Sequence, residues 1–491
     1  MKTWIKYLLL VLALCVVVGC IAACDTADNG GDGSTDAATT DAETEAATTE
    51  AAKTEPATTA PDTEAATTEP ATTEPESTDS PLGFETPVAD GSRLSAYMQP
   101  ILKGNNGTVK DETVFFIDKT DPYNTKTLLY PIKKVISVTS TPYYDADGEL
   151  TVYEEGKDYE VVNGKLVITP NSAIKTLGYD TYFFGGDGVV TDNEIEGSKV
   201  WNSNLIASYQ VSVTYTTDAE WEGFTQTSYA DRMAGFIKKL QSGEDVTVFF
   251  YGDSITYGAD SSYYINGAHG RNGNEQYPYA LLFTEALADL FDYTVEFINV
   301  RGNDAVPFPV LPPENYVGGT GERGKITYIN TAVGGMSIES GLANMDGFVK
   351  TYVEQYGCDL FVCALGMNNV AAGSAGIKAY CETVISDVHG YAPDASIVMV
   401  ATMLPHVGTN WGEHGQGAQQ GYIVKAVDRI WRDQGISCAS VSMKSVSDAV
   451  LEYKIYADYT GNNINHPNDF FHRLYAQTLL QSVIGYENLG F

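Results

Sequence analysis

Val246-Thr247-Val248-Phe249-Phe250-Tyr251-Gly252-Asp253-Ser254 is the stretch that decides the fold. Its first six residues are apolar or β-branched without polar alternation, the pattern of a strand buried on both faces, and the run stops at Gly-Asp-Ser. Just upstream, Met233, Phe236, Ile237 and Leu240 fall at helical spacing, and Gly243 closes that helix. Downstream, apolar strands are expected at 326–330, 360–365, 397–402 and 436–441, with helical stretches between them, notably 279–291 and 423–431. Strands alternating with helices predict an α/β domain, a parallel sheet covered by helices on both faces. Ligands of such sheets bind at the carboxyl ends of the strands.

Four blocks fall at those ends or in the last loop: Gly252-Asp253-Ser254, Asn330-Thr331-Ala332-Val333-Gly334-Gly335, Gly366-Met367-Asn368-Asn369 and Asn465-His466-Pro467-Asn468. Taken singly, Gly335 and Asn368 read as turn residues and His466 as a surface histidine before Pro467. Together and in this order they resemble the SGNH (GDSL) hydrolases, over about residues 230–491. The resemblance implies a flavodoxin-like three-layer α/β/α fold and a serine esterase with no cofactor and no metal. It makes Ser254 the nucleophile and His466 the general base. The oxyanion hole maps to the backbone N–H groups of Ser254 and Gly335 and the side-chain amide of Asn368. Those residue types suit an oxyanion hole, since a glycine lets a backbone donor approach the substrate and a carboxamide donates without competing for the histidine proton.

One position departs from the pattern. The family usually places an Asp three residues before its His, and here that residue is Asn463, next to Asn462. An Asn can orient an imidazole but supplies no charge to an imidazolium. A Ser-His dyad is therefore one expectation, with His466 held by a backbone carbonyl or Asn463, or by a carboxylate elsewhere, of which Asp458 and Asp469 are the nearest in sequence and rank below the backbone carbonyl. Asp253 is assigned to bracing the strand-to-helix loop and Asn369 to structure. Tyr257, Tyr263, His406, Trp411 and His414 either line a cleft or pack, and the spacing of His406, Glu413 and His414 fits no metal-ligand pattern. Cys358 and Cys363 bracket a predicted strand, too far apart to pair, and Cys363, Cys381 and Cys438 read as small core residues.

Residues 81–225 read differently. Short β-branched and aromatic runs at 113–118, 135–140, 150–153 and 209–216 predict an antiparallel β-sandwich preceding the α/β domain. Within it, 159–162 and 165–168 flank Asn163-Gly164, the pair that a type I′ hairpin turn prefers. Tyr143, Tyr144, Tyr179, Tyr182 and Trp201 are either sugar-stacking platforms or packing, and packing carries more weight.

The chain has 491 residues, 29 of them Lys or Arg and 64 Asp or Glu, a formal charge of −35 that excludes nucleic acid as a partner. Lys2 and Lys6 precede an apolar run, as in an export signal. Cys20 and Cys24 each follow small residues, resembling a lipobox, with Cys24 the favoured lipidation site because the polar tract begins directly after it. Residues 25–80 hold fifteen acidic residues and one Lys among Thr, Ala and Pro. Such a linker stays extended, and about 56 residues at about 3.1 Å each reach at most about 170 Å. The expected organisation is a signal peptide (1–24), linker (25–80), β-sandwich (81–225) and SGNH hydrolase domain (226–491), lipid-anchored on the extracellular face of a bacterial membrane. The family resemblance spans lipases, thioesterases, lysophospholipases and carbohydrate O-acetylesterases; a surface lipoprotein with an added β-sandwich resembles the carbohydrate esterases in which a β domain accompanies the SGNH domain, and that resemblance implies acetylated carbohydrate of the xylan or mannan type as substrate. Envelope glycans or other short-acyl esters are the alternative, and a non-catalytic carbohydrate-binding surface protein is the contrasting class.

Overall fold

The computed structural model describes residues 87–103, 107–143, 149–184, 194–195, 198–199, 204–266, 273–298, 300, 317–369, 372–407, 409–413 and 416–491. The expected signal peptide, Cys20, Cys24, the linker, Tyr144, Trp201 and His414 lie outside the described residues.

The N-terminal segment contributes strands β1 (Thr108–Phe115), β2 (Thr125–Lys126), β3 (Lys134–Ser140), β4 (Tyr159–Val162), β5 (Lys165–Ile168), β6 (Glu194–Ile195), β7 (Ser198–Lys199) and β8 (Gln210–Thr216). All pair antiparallel, in two three-stranded sheets ordered β1-β8-β3 and β2-β5-β4 and one β6-β7 hairpin. The β4-β5 turn has both central residues in the left-handed region, Asn163 at φ 51° and Gly164 at φ 74°, as a type I′ turn requires. The strand expected at 150–153 shrinks to a bridge between Thr139 and Val152.

The parallel sheet is built from β9 (Val246–Gly252), β10 (Tyr293–Phe297), β11 (Val317–Gly318), β12 (Gly324–Asn330), β13 (Leu360–Ala364), β14 (Ser396–Ala401) and β15 (Cys438–Ser442). Their order is β11-β10-β12-β9-β13-β14-β15, and only the β10-β11 pair is antiparallel. The α/β architecture expected from the sequence is therefore present, with β10 and the edge strand β11 as additions. All seven residues of β9 are buried. Val248 and Phe250 pack to one side with the helices Tyr279–Phe291 and Asp469–Val483, and Phe249 and Tyr251 pack to the other with Gly373–Tyr391 and Gln416–Gln434. The chain moves from β9 first to β10 and β12 on one side, then to β13, β14 and β15 on the other. The carboxyl end of β9 is thus the switch point of the sheet, the place where sheets of this kind bind their ligands.

The N-terminal sheets and the parallel sheet lie in one compact unit and share an apolar core: Val109, Val114, Val211 and Val213 join the cluster that holds Val248, Phe471 and Leu474. Polar groups add directional contacts. Lys454 meets Glu112 at 2.6 Å with both side chains fully buried, and Lys126 meets Asp458 at 2.9 Å. Asn468 donates to Thr113 Oγ1 (2.9 Å) and Gln210 Oε1 (2.8 Å), while Arg473 donates to the carbonyls of Lys110 (2.6 Å) and Asp111 (3.1 Å). The segment that carries His466 is therefore bonded on both of its flanks to β1 and β8.

Candidate active site

Ser254 is the first residue of a short helix, Ser254–Tyr257, that begins where β9 ends. Asp253 caps it, its Oδ1 accepting from the Ile255 N–H at 3.0 Å, and Gly258 closes it in the left-handed conformation. Burial pushes the Asp253 carboxyl up to about 7. The side chain of Asp253 thus faces the helix start, and its contacts are those of a cap.

The structure brings Ser254 and His466 together, with Oγ 2.8 Å from Nε2. His466 lies in the loop between the short helix Tyr456–Asp458 and the helix Asp469–Val483, 212 residues from Ser254. That loop is organised by Asn462, whose Oδ1 accepts from the N–H groups of Ile464 (2.9 Å), Asn465 (3.1 Å) and His466 (3.2 Å). A side-chain oxygen that satisfies three successive N–H groups fixes the local chain path.

The other imidazole nitrogen meets a carboxylate that sequence reasoning missed. His466 Nδ1 lies 3.0 Å from Asp260 Oδ2, with the Asp260 side chain 10% exposed. The dyad expectation is corrected accordingly: the partner of Nδ1 is Asp260, not a backbone carbonyl, Asn463, Asp458 or Asp469. Asp458 is committed elsewhere, accepting from the Phe115 N–H (2.6 Å) and the Ile455 N–H (2.9 Å) and pairing with Lys126. Asp469 accepts from the Ser262 N–H at 2.7 Å, and burial pushes its carboxyl up to about 6. Asn463 is buried at φ 60°, and both imidazole nitrogens of His466 are taken by other residues, Ser254 and Asp260.

Asp260 reaches His466 because the chain turns tightly after the nucleophile. The Ala259 N–H donates to the Ser254 carbonyl at 2.9 Å, and Asp260 itself adopts φ 61°, a left-handed conformation that Asp tolerates better than most residues. Across the contact stands Gly461, where an added Cβ would come within 2.5 Å of the Asp260 Cβ. The only sequence signal for this pairing is an Asp one turn and one cap beyond the nucleophile, which an Asp-x-x-His pattern does not include.

Of the expected oxyanion donors, Gly335 sits at φ 77°, a conformation that favours glycine, at the end of the loop after β12. Asn368 follows β13 and donates through Nδ2 to the carbonyl of Met336, the residue after Gly335, at 3.2 Å. Its carboxamide has a second N–H on the same nitrogen. The neighbouring Asn369 spans the same two blocks structurally: Oδ1 accepts from the Ile338 N–H (2.9 Å) and Nδ2 donates to Glu339 Oε2 (2.6 Å).

A cavity of about 720 Å³ opens where the N-terminal segment meets the loop after β14, lined by Ile117, Tyr123, Tyr182, Leu404, His406 and Tyr456 among others. The His406 N–H donates to the Ile464 carbonyl at 2.8 Å, so its wall adjoins the chain two residues before His466. Burial pushes the His406 imidazole down to about 4, leaving it neutral at physiological pH. Tyr143 is buried at 4% exposure, whereas Tyr179 is 38% exposed and packs at a tilt against Tyr123 and Phe183.

Neither a protein-family model nor a curated protein matches the chain. Among solved structures it is similar to a two-domain esterase (CEX) active on acetylated mannans, co-crystallised with mannopentaose, at 18% identity over 55% of this chain and 56% of that one, TM-score 0.36. It is similar to the acetyl xylan esterase AlAXEase at 16% identity over 48% of this chain and 98% of that one, TM-score 0.30. A family 3 carbohydrate esterase from Clostridium thermocellum matches at 13% identity over 50% of this chain and 98% of that one, TM-score 0.31. The match thus spans a little over half the length of the two-domain esterase.

Proposed function

We propose that the protein is a serine esterase that removes O-acetyl groups from polysaccharides or oligosaccharides of the xylan or mannan type. The observation that carries the reading is the relay Ser254 Oγ, His466 Nε2, His466 Nδ1, Asp260 Oδ2, at 2.8 Å and 3.0 Å. His466 Nε2 takes the Ser254 proton as Oγ attacks the acyl carbon. Asp260 accepts the Nδ1–H, which selects the tautomer whose Nε2 is basic and stabilises the imidazolium that forms. The carbonyl oxygen becomes an oxyanion, stabilised by the N–H groups of Ser254 and Gly335 and by the Asn368 amide. Collapse expels the sugar alkoxide, which takes the proton from His466 Nε2. Water then attacks the acyl-serine, His466 accepting its proton, and acetate leaves as Oγ is reprotonated.

Two features favour a carbohydrate substrate. The cavity beside the His466 loop has a volume within the usual range of ligand sites, and aromatic rings of Tyr123, Tyr182 and Tyr456 line it. Its largely apolar lining, with Lys126 as its charged member, suits the faces and hydroxyls of a sugar chain. The signal-like start, Cys24 and the acidic linker support a lipid-anchored position at the cell surface.

Release of acetate from acetylated xylan and mannan, together with fluorophosphonate labelling, tests the reading. Wild type should release acetate and be labelled at Ser254, and Ser254→Ala should do neither. Tyr123→Ala should raise KM for acetylated oligosaccharide while leaving p-nitrophenyl acetate hydrolysis intact. Labelling without acetate release from any glycan, or faster turnover of a palmitoyl ester than of an acetyl ester, would overturn the substrate assignment. Absence of labelling would overturn the esterase.

A further inference from the structure

The segment that aims Asp260 is gripped at three successive points. The Ala259 carbonyl lies 3.3 Å from His472 Nε2, the Asp260 carbonyl accepts from the Tyr143 hydroxyl at 2.9 Å, and the Ser262 N–H donates to Asp469 Oδ1 at 2.7 Å. His472 and Asp469 come from the helix Asp469–Val483 of the α/β region. Tyr143 does not: it lies just beyond β3, in the N-terminal β segment. Its own position is secured through the two residues before it, by Thr141 Oγ1 donating to the Ala207 carbonyl at 2.7 Å and by Asn266 Nδ2 donating to the Pro142 carbonyl at 2.7 Å.

The Tyr143 hydroxyl is saturated where it lies. It accepts from the Asp469 N–H at 2.9 Å, and its single proton is shared between the Asp260 carbonyl and Asp469 Oδ1, the latter at 3.1 Å. Burial, reinforced by the Asp469 charge, holds the phenol far above its ordinary pKa, so it remains a donor at any pH of interest. A buried donor directed at the carbonyl of a residue held at φ 61° opposes relaxation of that turn toward an extended conformation, which would swing the carboxylate off the imidazole.

We propose that Tyr143 is a positioning residue of the active site, holding the left-handed turn that directs the Asp260 carboxylate at His466. The N-terminal β segment is then part of the catalytic machinery and not only a binding accessory. This inference rests on the serine-esterase reading above. It goes beyond that reading by assigning a role in the reaction to a residue outside the α/β region, through a backbone carbonyl rather than a contact with substrate.

A double-mutant cycle in the full chain tests it, with wild type, Tyr143→Phe, Asp260→Ala and the double variant compared on p-nitrophenyl acetate. Displacing a reacting group by a fraction of an ångström to about 1 Å costs up to about 10²-fold, so Tyr143→Phe should lower kcat by about 10–100-fold. KM should stay nearly constant, since the hydroxyl touches no substrate. In the Asp260→Ala background the same substitution should change the rate by less than about twofold, because a residue acting only through Asp260 has nothing left to act on. Equal losses in both backgrounds would mean a general structural role and overturn the proposal, as would full activity of Tyr143→Phe. Circular dichroism melts establish that all four proteins are folded at the assay temperature. If the Phe variant is not, Tyr143→Met, which fills much of the ring's volume and likewise lacks a donor, replaces it in the cycle under the same criterion. Loss of the esterase reading is separately visible, since then Ser254→Ala would match wild type.

Discussion

Two loops at the carboxyl edge of the sheet divide the reactive side chains unequally. The one after β9 carries both Ser254 and Asp260, within seven residues, while the loop from Thr460 to Asn468 carries only His466 despite its four asparagines. The difference lies in where each loop spends its polar groups. In the second loop Asn462 accepts from three backbone N–H groups and Asn468 bridges to β1 and β8. The partner of His466 Nδ1 comes instead from the loop facing it across Gly461, as the Asp260 carboxylate. A histidine-bearing loop can thus lose its own acid if a neighbouring turn supplies one with the right geometry.

The largest expected effect falls on the first loop. Asp260→Asn presents an N–H to Nδ1 and traps the wrong tautomer, which should lower kcat by about 10⁴, or about 5.4 kcal/mol. A loss below tenfold on p-nitrophenyl acetate would remove Asp260 from the relay and restore the dyad.

The anchoring of the second loop comes next. Lys454→Met leaves the Glu112 carboxyl fully buried and without its cation, which costs about 3–5 kcal/mol. The urea midpoint should fall accordingly at unchanged m-value, and Glu112→Gln added to Lys454→Met should recover most of the loss. An unchanged midpoint would mean that the N-terminal sheets do not support this loop energetically.

A pH test probes the grip on the first loop. Burial holds His472 neutral, with its pKa pushed down to about 3, whereas the unfolded chain binds that proton near 6.5. The residue therefore contributes stability that is complete above pH 6.5 and is lost as pH falls from there toward 3. Between pH 6.5 and 5 its share is about 2 kcal/mol. Asp469 and Asp253 act in the opposite sense, since their raised values let the folded state hold protons that the unfolded chain has released. The comparison of wild type with His472→Gln isolates the histidine: the variant should lose about 2 kcal/mol less over that interval. Parallel stability curves for the two proteins would contradict the neutral, buried assignment.

The smallest effect is expected at Asn463. Its side chain does not meet His466, so Asn463→Ala should reduce kcat by no more than about tenfold, or about 1.4 kcal/mol. A loss near that of Asp260→Asn would place Asn463 in the relay after all and reverse the contrast between the loops.

Much of the fold was legible from the chain. β9 reads from its unbroken apolar run, and the hairpin at Asn163-Gly164 reads from turn chemistry, because both depend on neighbours in sequence. β10 is harder to read, since it alternates buried and half-buried residues over only five positions, and β11 is only two residues long. The segment 150–153 has β-forming residues yet meets β3 only around the Thr139–Val152 bridge, with the Ser140 and Tyr153 N–H groups bonding across it, so propensity alone does not set how far a ladder extends.

What the sequence by itself determined is the set of blocks at the strand ends: Gly252-Asp253-Ser254, Gly335, Asn368 and His466 are placed by local periodicity, which a linear reading detects. What only the tertiary structure decided is how distant groups pair. Asp260 meets a histidine 206 positions away, Glu112 meets Lys454, and Tyr143 reaches the Asp260 carbonyl across 117 residues. Hydrogen bonds and ion pairs depend on distances of about 3 Å and on direction. Those are set by the packing of whole elements, and nothing in the spacing of residues along the chain encodes them.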